Sequence, residues 1–198
     1  MIALSLCATT ASATLNLDAS ASASDKAAYE KAIGYLARSP KAREVIENLQ
    51  ASQTAYNIVL GPGPSMNAGK EPGNTYDPAT RTIYWIPTYG FRWKTLFSSA
   101  RITPALGLLH EMGHALHQDT DAGTYAKDIK DTMMVWGTKE EKRTIREIEN
   151  VVAKDLGEPL RKQHDYVVLT DNGQIGFFQT QGPVSVEAAV STFANLPL

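Results

Sequence analysis

The chain has 198 residues, 43% of them hydrophobic, and this length and content favour one domain with a substantial apolar core. A net charge of −2 excludes the strongly basic surface typical of nucleic-acid-binding proteins, so we expect no nucleic-acid partner. No apolar stretch approaches the roughly 18 residues that a membrane-spanning helix needs, so we expect no stable membrane insertion. The single cysteine, Cys7, excludes an internal disulfide.

The first 24 residues are almost entirely small or apolar and end in an alternating Ala-Ser run at residues 19–24. Ala11-Ser12-Ala13 has the form of a signal-peptidase site. A signal peptide also needs a basic start, however, and no Lys or Arg precedes Lys26. We therefore expect no standard signal peptide, a flexible low-complexity segment over residues 1–24, and a single domain over residues 25–198.

Two helices and a strand are predicted at the start of the domain. The helices are Asp25–Arg38 and Pro40–Leu49. The chain breaks between them because Ser39 suits an N-cap and Pro40 suits the first helical position. Tyr56–Leu60 is rich in β-branched and aromatic residues and is predicted as a short strand.

A hairpin is predicted next, with strands Asn74–Asp77 and Thr80–Ile86. Pro87 ends the second strand, and a proline there favours an edge position in the sheet. Thr82–Ile86 is then a candidate edge to which an extended peptide substrate could add as another strand. The alternative is a strand in the core of the sheet.

Two longer helices and a second hairpin follow. The first helix begins after the N-cap Thr103 and ends near Gln118. The second runs from Thr138 to Leu156, where a glycine and a proline stop it. In the tail, two strands flank Asn172-Gly173, which is a typical hairpin turn. Helices that bracket a few short strands make the predicted fold class α+β.

His110, Glu111 and His114 form the sequence H-E-x-x-H within the first of these longer helices. Residues four apart lie on one face of a helix, so the two imidazoles can bind one zinc ion while the glutamate accepts a proton from water. The alternative is a helix with two hydrogen-bonded histidines and no metal. Apolar neighbours predict burial, and buried paired histidines need a partner. Those neighbours are Leu106, Leu108, Leu109, Met112 and Leu116.

A catalytic zinc also needs a third protein ligand from elsewhere and one open position. The longer H-E-x-x-H-x-x-G-x-x-H pattern of metzincins is excluded, because His117 stands at its glycine and Thr120 at its third histidine. We expect His117 to line the cleft or to stay exposed. An aspartate ligand from Asp119, Asp121 or Asp128 remains open.

The next helix offers several glutamates, and its apolar stripe selects among them. Glu141 falls in the middle of the stripe, whereas Glu140 and Glu147 fall well to its side. An acid on the buried face needs a compensating charge, which zinc supplies. Alternatively, Glu141 completes a capping box with Thr138. The stripe consists of Ile145, Ile148, Val152 and Leu156.

Three short segments together resemble a known family. They are HEMGHA at residues 110–115, EEKRTI at residues 140–145 with Glu149-Asn150, and LGEPLR at residues 156–161. In this combination they resemble the NleD-type effector metalloproteases of bacterial pathogens. The second segment is also similar to the corresponding piece of the clostridial neurotoxin light chains.

The resemblance implies roles for individual residues. A glutamate of the E-E-x-x-T element is the third zinc ligand in these families, and Glu141 occupies that position. An arginine and a tyrosine after the glutamate helix stabilise the oxyanion of the reaction, and Arg161 matches the arginine. His164 stands at the tyrosine position and Tyr166 lies two residues further on, so either is expected to assist Arg161. Glu149-Asn150 either orients a ligand or bonds local backbone.

These features predict a zinc-dependent endopeptidase with one Zn²⁺ ion held by His110, His114 and Glu141, and with Glu111 as general base. The resemblance implies a bacterial secreted effector or toxin that acts in the target-cell cytosol on a protein or peptide bound in extended form. It implies a zincin-like fold, with the H-E-x-x-H helix packed on a small mixed sheet and followed by a glutamate-bearing helix and a C-terminal hairpin. Two alternatives remain: a zinc-stabilised binding module without catalysis, and a zinc hydrolase of a non-peptide amide.

Overall fold

The computed structural model describes residues 15–64, 73–94, 99–164, 167–169, 175–177 and 180–183. The helices are α1 (Ala23–Leu36), α2 (Pro40–Ala51), α3 (Pro104–Thr120), α4 (Ala122–Asp128), α5 (Lys139–Thr144) and α6 (Asn150–Leu156). A π-helical turn, Ile145–Glu149, joins α5 to α6 without a break. The strands are β1 (Leu15–Leu17), β2 (Tyr56–Leu60), β3 (Thr75–Asp77), β4 (Thr82–Trp85), β5 (Tyr89–Lys94), β6 (Ser99–Arg101), β7 (Thr132–Met133), β8 (Gly137–Thr138), β9 (Val167–Leu169), β10 (Ile175–Phe177) and β11 (Thr180–Pro183). The predicted α+β class is confirmed.

The main sheet has four strands in the order β1-β2-β4-β3. β1 and β4 both run parallel to β2, whereas β3 pairs antiparallel with β4, so the sheet is mixed. The predicted edge position of Thr82–Ile86 is wrong, because β2 and β3 cover both sides of β4. Ile83 and Trp85 are buried, as befits an inner strand, and β3 forms the edge.

Three smaller sheets complete the described strands. β5 lies between β11 and β6, and β7 pairs with β8, with antiparallel pairing throughout. The predicted C-terminal hairpin is confirmed by the antiparallel pairing of β9 with β10. Its predicted turn, Asn172-Gly173, lies outside the described residues.

The expected flexible segment over residues 1–24 is wrong for the part that the structure describes. Leu15–Leu17 pairs with β2, and Leu15 is buried in the core. Ser22 caps α1: its hydroxyl accepts from the backbone N–H of Asp25, whose carboxylate accepts in return from the backbone N–H of Ser22. Pairing with β2 and burial of Leu15 order this segment despite its many small residues.

α3 lies at the centre of the molecule. It packs on α1 and α2, on strands β3 and β4, and on the π-helical turn. Every residue from Pro104 to Ala115 is buried, and a helix that is apolar on nearly all sides belongs in the interior. Among the described residues, no helix is both long enough and apolar enough to cross a membrane.

Candidate metal centre

The centre lies where α3 crosses the continuous helix formed by residues 139–156, and Gly113 sets the distance between them. A Cβ atom at this glycine would lie 2.8 Å from Cγ2 of Thr144 and 3.1 Å from Cδ1 of Ile148. Both distances are shorter than side chains normally tolerate. The absent side chain therefore lets the two helices approach until their polar groups meet.

Three side chains bring ligand atoms together at this crossing. The Nε2 atoms of His110 and His114 lie 3.1 Å apart, and Oε2 of Glu141 lies 2.9 Å from the former and 3.4 Å from the latter. A tetrahedral zinc site with bonds of about 2.0–2.1 Å separates its ligand atoms by about 3.3 Å. The three atoms thus already have nearly the spacing that one metal ion requires.

Each of the two histidines also contacts a further carboxylate through its Nδ1 atom, on the side of the ring away from Nε2. Nδ1 of His110 lies 2.9 Å from Oε2 of Glu149, and Nδ1 of His114 lies 2.9 Å from Oε1 of Glu140. A carboxylate on Nδ1 favours the tautomer whose Nε2 is available to a metal and also fixes the plane of the ring. Both imidazoles are therefore oriented before any ion binds.

Glu140 is a correction to the sequence prediction, which put it to the side of the buried face. It is 1% exposed, because Arg143 donates to both of its oxygens and so compensates its charge. His117 is also buried rather than exposed or lining a cleft, and its Nδ1 lies 2.5 Å from Oε2 of Glu140. Glu140 thus joins two histidines of α3 to an arginine of its own helix.

The side chain of Glu141 contacts the two histidines, whereas its backbone takes part in the N-terminal cap of α5. Its N–H donates to the hydroxyl of Thr138, which caps α5. The carboxylate points instead to His110 and His114. The hypothesis of a capping-box role for the Glu141 side chain is therefore wrong.

Arg161 lies behind His110. It is 2% exposed, and its Nη1 donates to Oε2 of Glu149 over 2.8 Å, the same oxygen that contacts His110. Asn150 fixes the arginine backbone from both sides, since its amide donates to the Arg161 carbonyl and accepts from the Arg161 N–H. Of the two roles expected for this pair, Glu149 takes ligand orientation and Asn150 takes backbone bonding.

His164 reaches the centre from the segment after α6. Its Nε2 lies 3.5 Å from Oε2 of Glu141, and its ring lies nearly parallel to that of His110 with centroids 6.1 Å apart. Tyr166, the other aromatic candidate, lies outside the described residues. The structure therefore brings together His110, His114, Glu141 and His164, with Arg161 one contact further away.

Glu111, on the same helix as the two histidines, is buried beside this group. Burial raises its pKa, while the neighbouring charges of His110 and His114 and the backbone N–H of Tyr76 in β3 act in the opposite direction. A carboxyl group with a raised pKa takes up a proton more readily than an exposed one. This is the property that a general base near neutral pH needs.

The charges around the ligand atoms are tightly coupled. Burial opposes protonation of His110 and His114, but hydrogen bonds and the charges of nearby carboxylates outweigh it, so their pKa values rise to about 9 and about 10. Burial likewise opposes ionisation of Glu141, yet the charges of His164 and His114 hold its pKa well below the ordinary value. The nearby carboxylates thus make the two imidazoles more basic, and a bound metal ion would take the place of protons on the ligand atoms.

A second buried group, His117, Asp128 and Glu140, also brings ligand atoms close together. Its carboxylates are already neutralised: Lys139 binds Asp128, and Arg143 binds Glu140. A cation there would have to displace two basic side chains. The expectation that Asp128 is a ligand of the H-E-x-x-H metal finds no support in its position, since its neighbours are His117 and Lys139.

The contact of Glu140 with His114 was not predicted from the sequence. One signal was present, because Arg143 stands three residues later and faces Glu140 on a helix. The group His110, Glu141 and His164 can hold a metal ion, and His114 adds a third nitrogen close to Glu141.

Comparisons of the chain with models of protein families, with curated proteins and with solved structures find no match.

Proposed function

We propose that this protein is a zinc-dependent endopeptidase. The observation that carries the proposal is the convergence of His110, His114 and Glu141 next to the buried acid Glu111. Bound zinc would supply a Lewis acid that polarises the scissile carbonyl and acidifies water. A metal that served structure alone would need no buried acid at its side.

In this proposal Glu111 moves the proton. It accepts a proton from the attacking water and delivers it to the nitrogen of the leaving amine. The burial that raises its pKa supports both steps, because the protonated acid must persist long enough to protonate the amine. Glu149 and Glu140 keep the two imidazoles in place while the charge on the substrate changes.

Arg161 supports the same centre through Glu149. Its guanidinium holds the carboxylate that orients His110, so in the described arrangement its charge acts from behind the ligand. Direct contact of Arg161 with the oxyanion, with help from His164 or Tyr166, stays a prediction. Loss of one oxyanion donor typically costs about 2.7–4 kcal/mol of barrier stabilisation.

The position of β3 supports a peptide substrate. β3 is an edge strand of the main sheet, and the backbone of its Tyr76 faces Glu111. An extended peptide that adds to this edge would carry its main chain past the proposed base. A central helix with this motif, packed on a mixed sheet in which β3 is the outer strand among those described, supports the expected zincin-like fold.

The alternatives make different demands on the site. A binding module without catalysis requires the metal ligands but not Glu111. A hydrolase of a small amide requires the base but not an accessible strand edge. Delivery of this chain into a target cell, which the family resemblance implies, is a separate proposal and is tested by finding its substrate there.

The proposal is tested with Glu111→Gln. The substitution keeps the size of the side chain but removes the base, so zinc content should stay at the wild-type level while peptide cleavage falls by about 10²–10⁴-fold. Cleavage is measured as new protein termini in a lysate exposed to the purified chain. Glu147→Gln is the matched control, because the Glu147 side chain lies on the π-helical turn and is 67% exposed. Cleavage at the wild-type rate by Glu111→Gln would refute the mechanism.

A further inference from the structure

His164 lies beside the side chains that converge at the candidate centre. Oε2 of Glu141 lies 2.9 Å from Nε2 of His110, 3.4 Å from Nε2 of His114 and 3.5 Å from Nε2 of His164. All three distances are close to the separation of about 3.3 Å between ligand atoms of a tetrahedral zinc site. The ligand atoms of His110, Glu141 and His164 lie within 4.8 Å of one another, so His164 is close enough to share a metal ion with the other two.

The four side chains differ in how firmly they are held. His110 and His114 lie on α3 and are backed by buried carboxylates, and Glu141 lies on α5. His164 lies in the irregular segment after α6, and its side chain is 24% exposed, as is that of Glu141. It can therefore leave the group without disturbing a helix.

The His164 backbone is hydrogen-bonded to a residue in an unfavourable backbone conformation. Its N–H donates to the carbonyl of Val135 over 3.0 Å, and Val135 has a φ of 61°. A β-branched residue rarely adopts positive φ, and such a conformation costs about 1–3 kcal/mol. The segment that delivers His164 thus contacts a turn that is itself held in an unfavourable conformation, as is common at sites that change state.

We propose that His164 is a fourth, displaceable protein ligand of the metal, which closes the site in the resting protein. A closed set of four ligands is typical of structural zinc, whereas hydrolysis needs one position open. Binding of a substrate at this centre would then displace Nε2 of His164 and open that position. This inference rests on the proposed metal site and adds a resting state in which the enzyme is latent.

The test uses Co²⁺ in place of zinc and azide as a small probe of an open position. The wild-type Co²⁺ protein should show the absorption spectrum of a four-coordinate ion and should not change on addition of azide. His164→Ala should bind azide with a spectral shift, and its Co²⁺ affinity should fall by about tenfold or more, because even residues that only support ligands cost 10–100-fold. Lys162→Ala, an exposed neighbour, should match the wild type.

The possible failures are distinguishable. Equal affinity, equal spectra and equal azide binding in wild type and His164→Ala would overturn the fourth-ligand proposal and leave the protease proposal standing. Absence of metal binding by the wild type would overturn both. His164→Gln is measured in parallel as a variant of similar size, and circular dichroism verifies that both variants fold. Peptide cleavage is measured separately. If the chain never cleaves a substrate but only His164→Ala, and not the wild type, binds azide, the result would contradict the protease proposal alone.

Discussion

At the scale of single residues, the centre depends on carboxylates that do not touch the metal position. Glu140 and Glu149 are each 1% exposed, and each contacts Nδ1 of one histidine. A buried carboxylate without partners would be strongly destabilising, but Arg143 and Arg161 compensate the two charges. Each histidine therefore has its own carboxylate–arginine support.

We predict that Glu140→Ala weakens metal binding although Glu140 is not a ligand. Removing the carboxylate frees the ring of His114 to rotate, and losses of this kind lower metal affinity by about 10–100-fold. Competition with a chromophoric chelator measures the affinity. Glu147→Ala is the control, since its exposed carboxylate contacts only Arg143 at 3.8 Å among the described residues. Equal affinities in the two variants would show that the support from Glu140 is dispensable.

The sequence was sufficient to predict which side chains converge at the centre, but not which residues hold those side chains in place. Helix spacing predicted that His110 and His114 share a face, and the apolar stripe selected Glu141, which the structure places at both histidines. The position of Glu140 relative to the apolar stripe predicted an exposed side chain, and this was wrong because the stripe does not indicate where a buried ion pair forms. No periodicity in the sequence indicates that Arg161 contacts Glu149, because that contact depends on the path of the chain after α6.

At the scale of elements, the close approach of α3 to the helix of residues 139–156 brings the polar groups of the centre together. The π-helical turn Ile145–Glu149 contains one residue more per turn than an α-helix and is often found at functional sites. It changes the phase between α5 and α6, and Glu141 on one side and Glu149 at its end both contact His110. Gly113 supplies the space for this crossing.

We predict that Gly113→Ala lowers both stability and metal content. The new Cβ would lie 2.8 Å from Cγ2 of Thr144, and overpacking of this kind costs about 1–3 kcal/mol of the free energy of unfolding. Adding Thr144→Ser removes that methyl group but keeps the hydroxyl that contacts Glu140, so the double variant should recover part of both losses. Urea unfolding and zinc analysis measure the two quantities. A single variant as stable as the wild type would contradict this account of the crossing.

The helices other than α4, and the strands β2, β3, β4, β9 and β10, were predictable from local signals, whereas α4, β5, β6, β7, β8 and β11 were not predicted. Thr103 and Ser39 cap their helices as expected, each accepting a backbone N–H three residues on, and Gly157 ends α6 in the left-handed conformation. The order of strands was not predictable, since parallel pairing of β4 with β2 joins segments that no turn connects. The short β1 was missed for the same reason, because only its partner β2 makes it a strand.

At the scale of the whole molecule, Glu158 joins distant parts of the chain. Its carboxylate accepts from the hydroxyl of Tyr35 in α1 over 2.6 Å and from the backbone N–H of Thr103, before α3, over 2.8 Å. Burial raises the pKa of Glu158, although these hydrogen bonds oppose the shift. The folded chain therefore binds this proton more tightly than the unfolded chain does.

This shift predicts a pH dependence of stability. With a folded-state pKa above the ordinary 4.5, the contribution of Glu158 is fully present below pH 4.5 and declines as pH rises through the folded-state pKa. Glu158→Gln removes this titration and, by disturbing the hydrogen bonds, costs about 1–3 kcal/mol. Urea unfolding of both proteins from pH 4 upward should show the wild-type advantage shrinking as pH rises. An advantage that grows with pH would contradict the sign.

The central claim is that His110, His114 and Glu141 hold one zinc ion, and metal analysis of the purified chain tests it most directly. We predict one zinc per wild-type chain after dialysis, little or none in His110→Ala, His114→Ala and Glu141→Ala, and the wild-type amount in Glu147→Ala. A wild-type chain that retains no zinc, or a Glu141→Ala variant that retains as much as Glu147→Ala, would contradict the account.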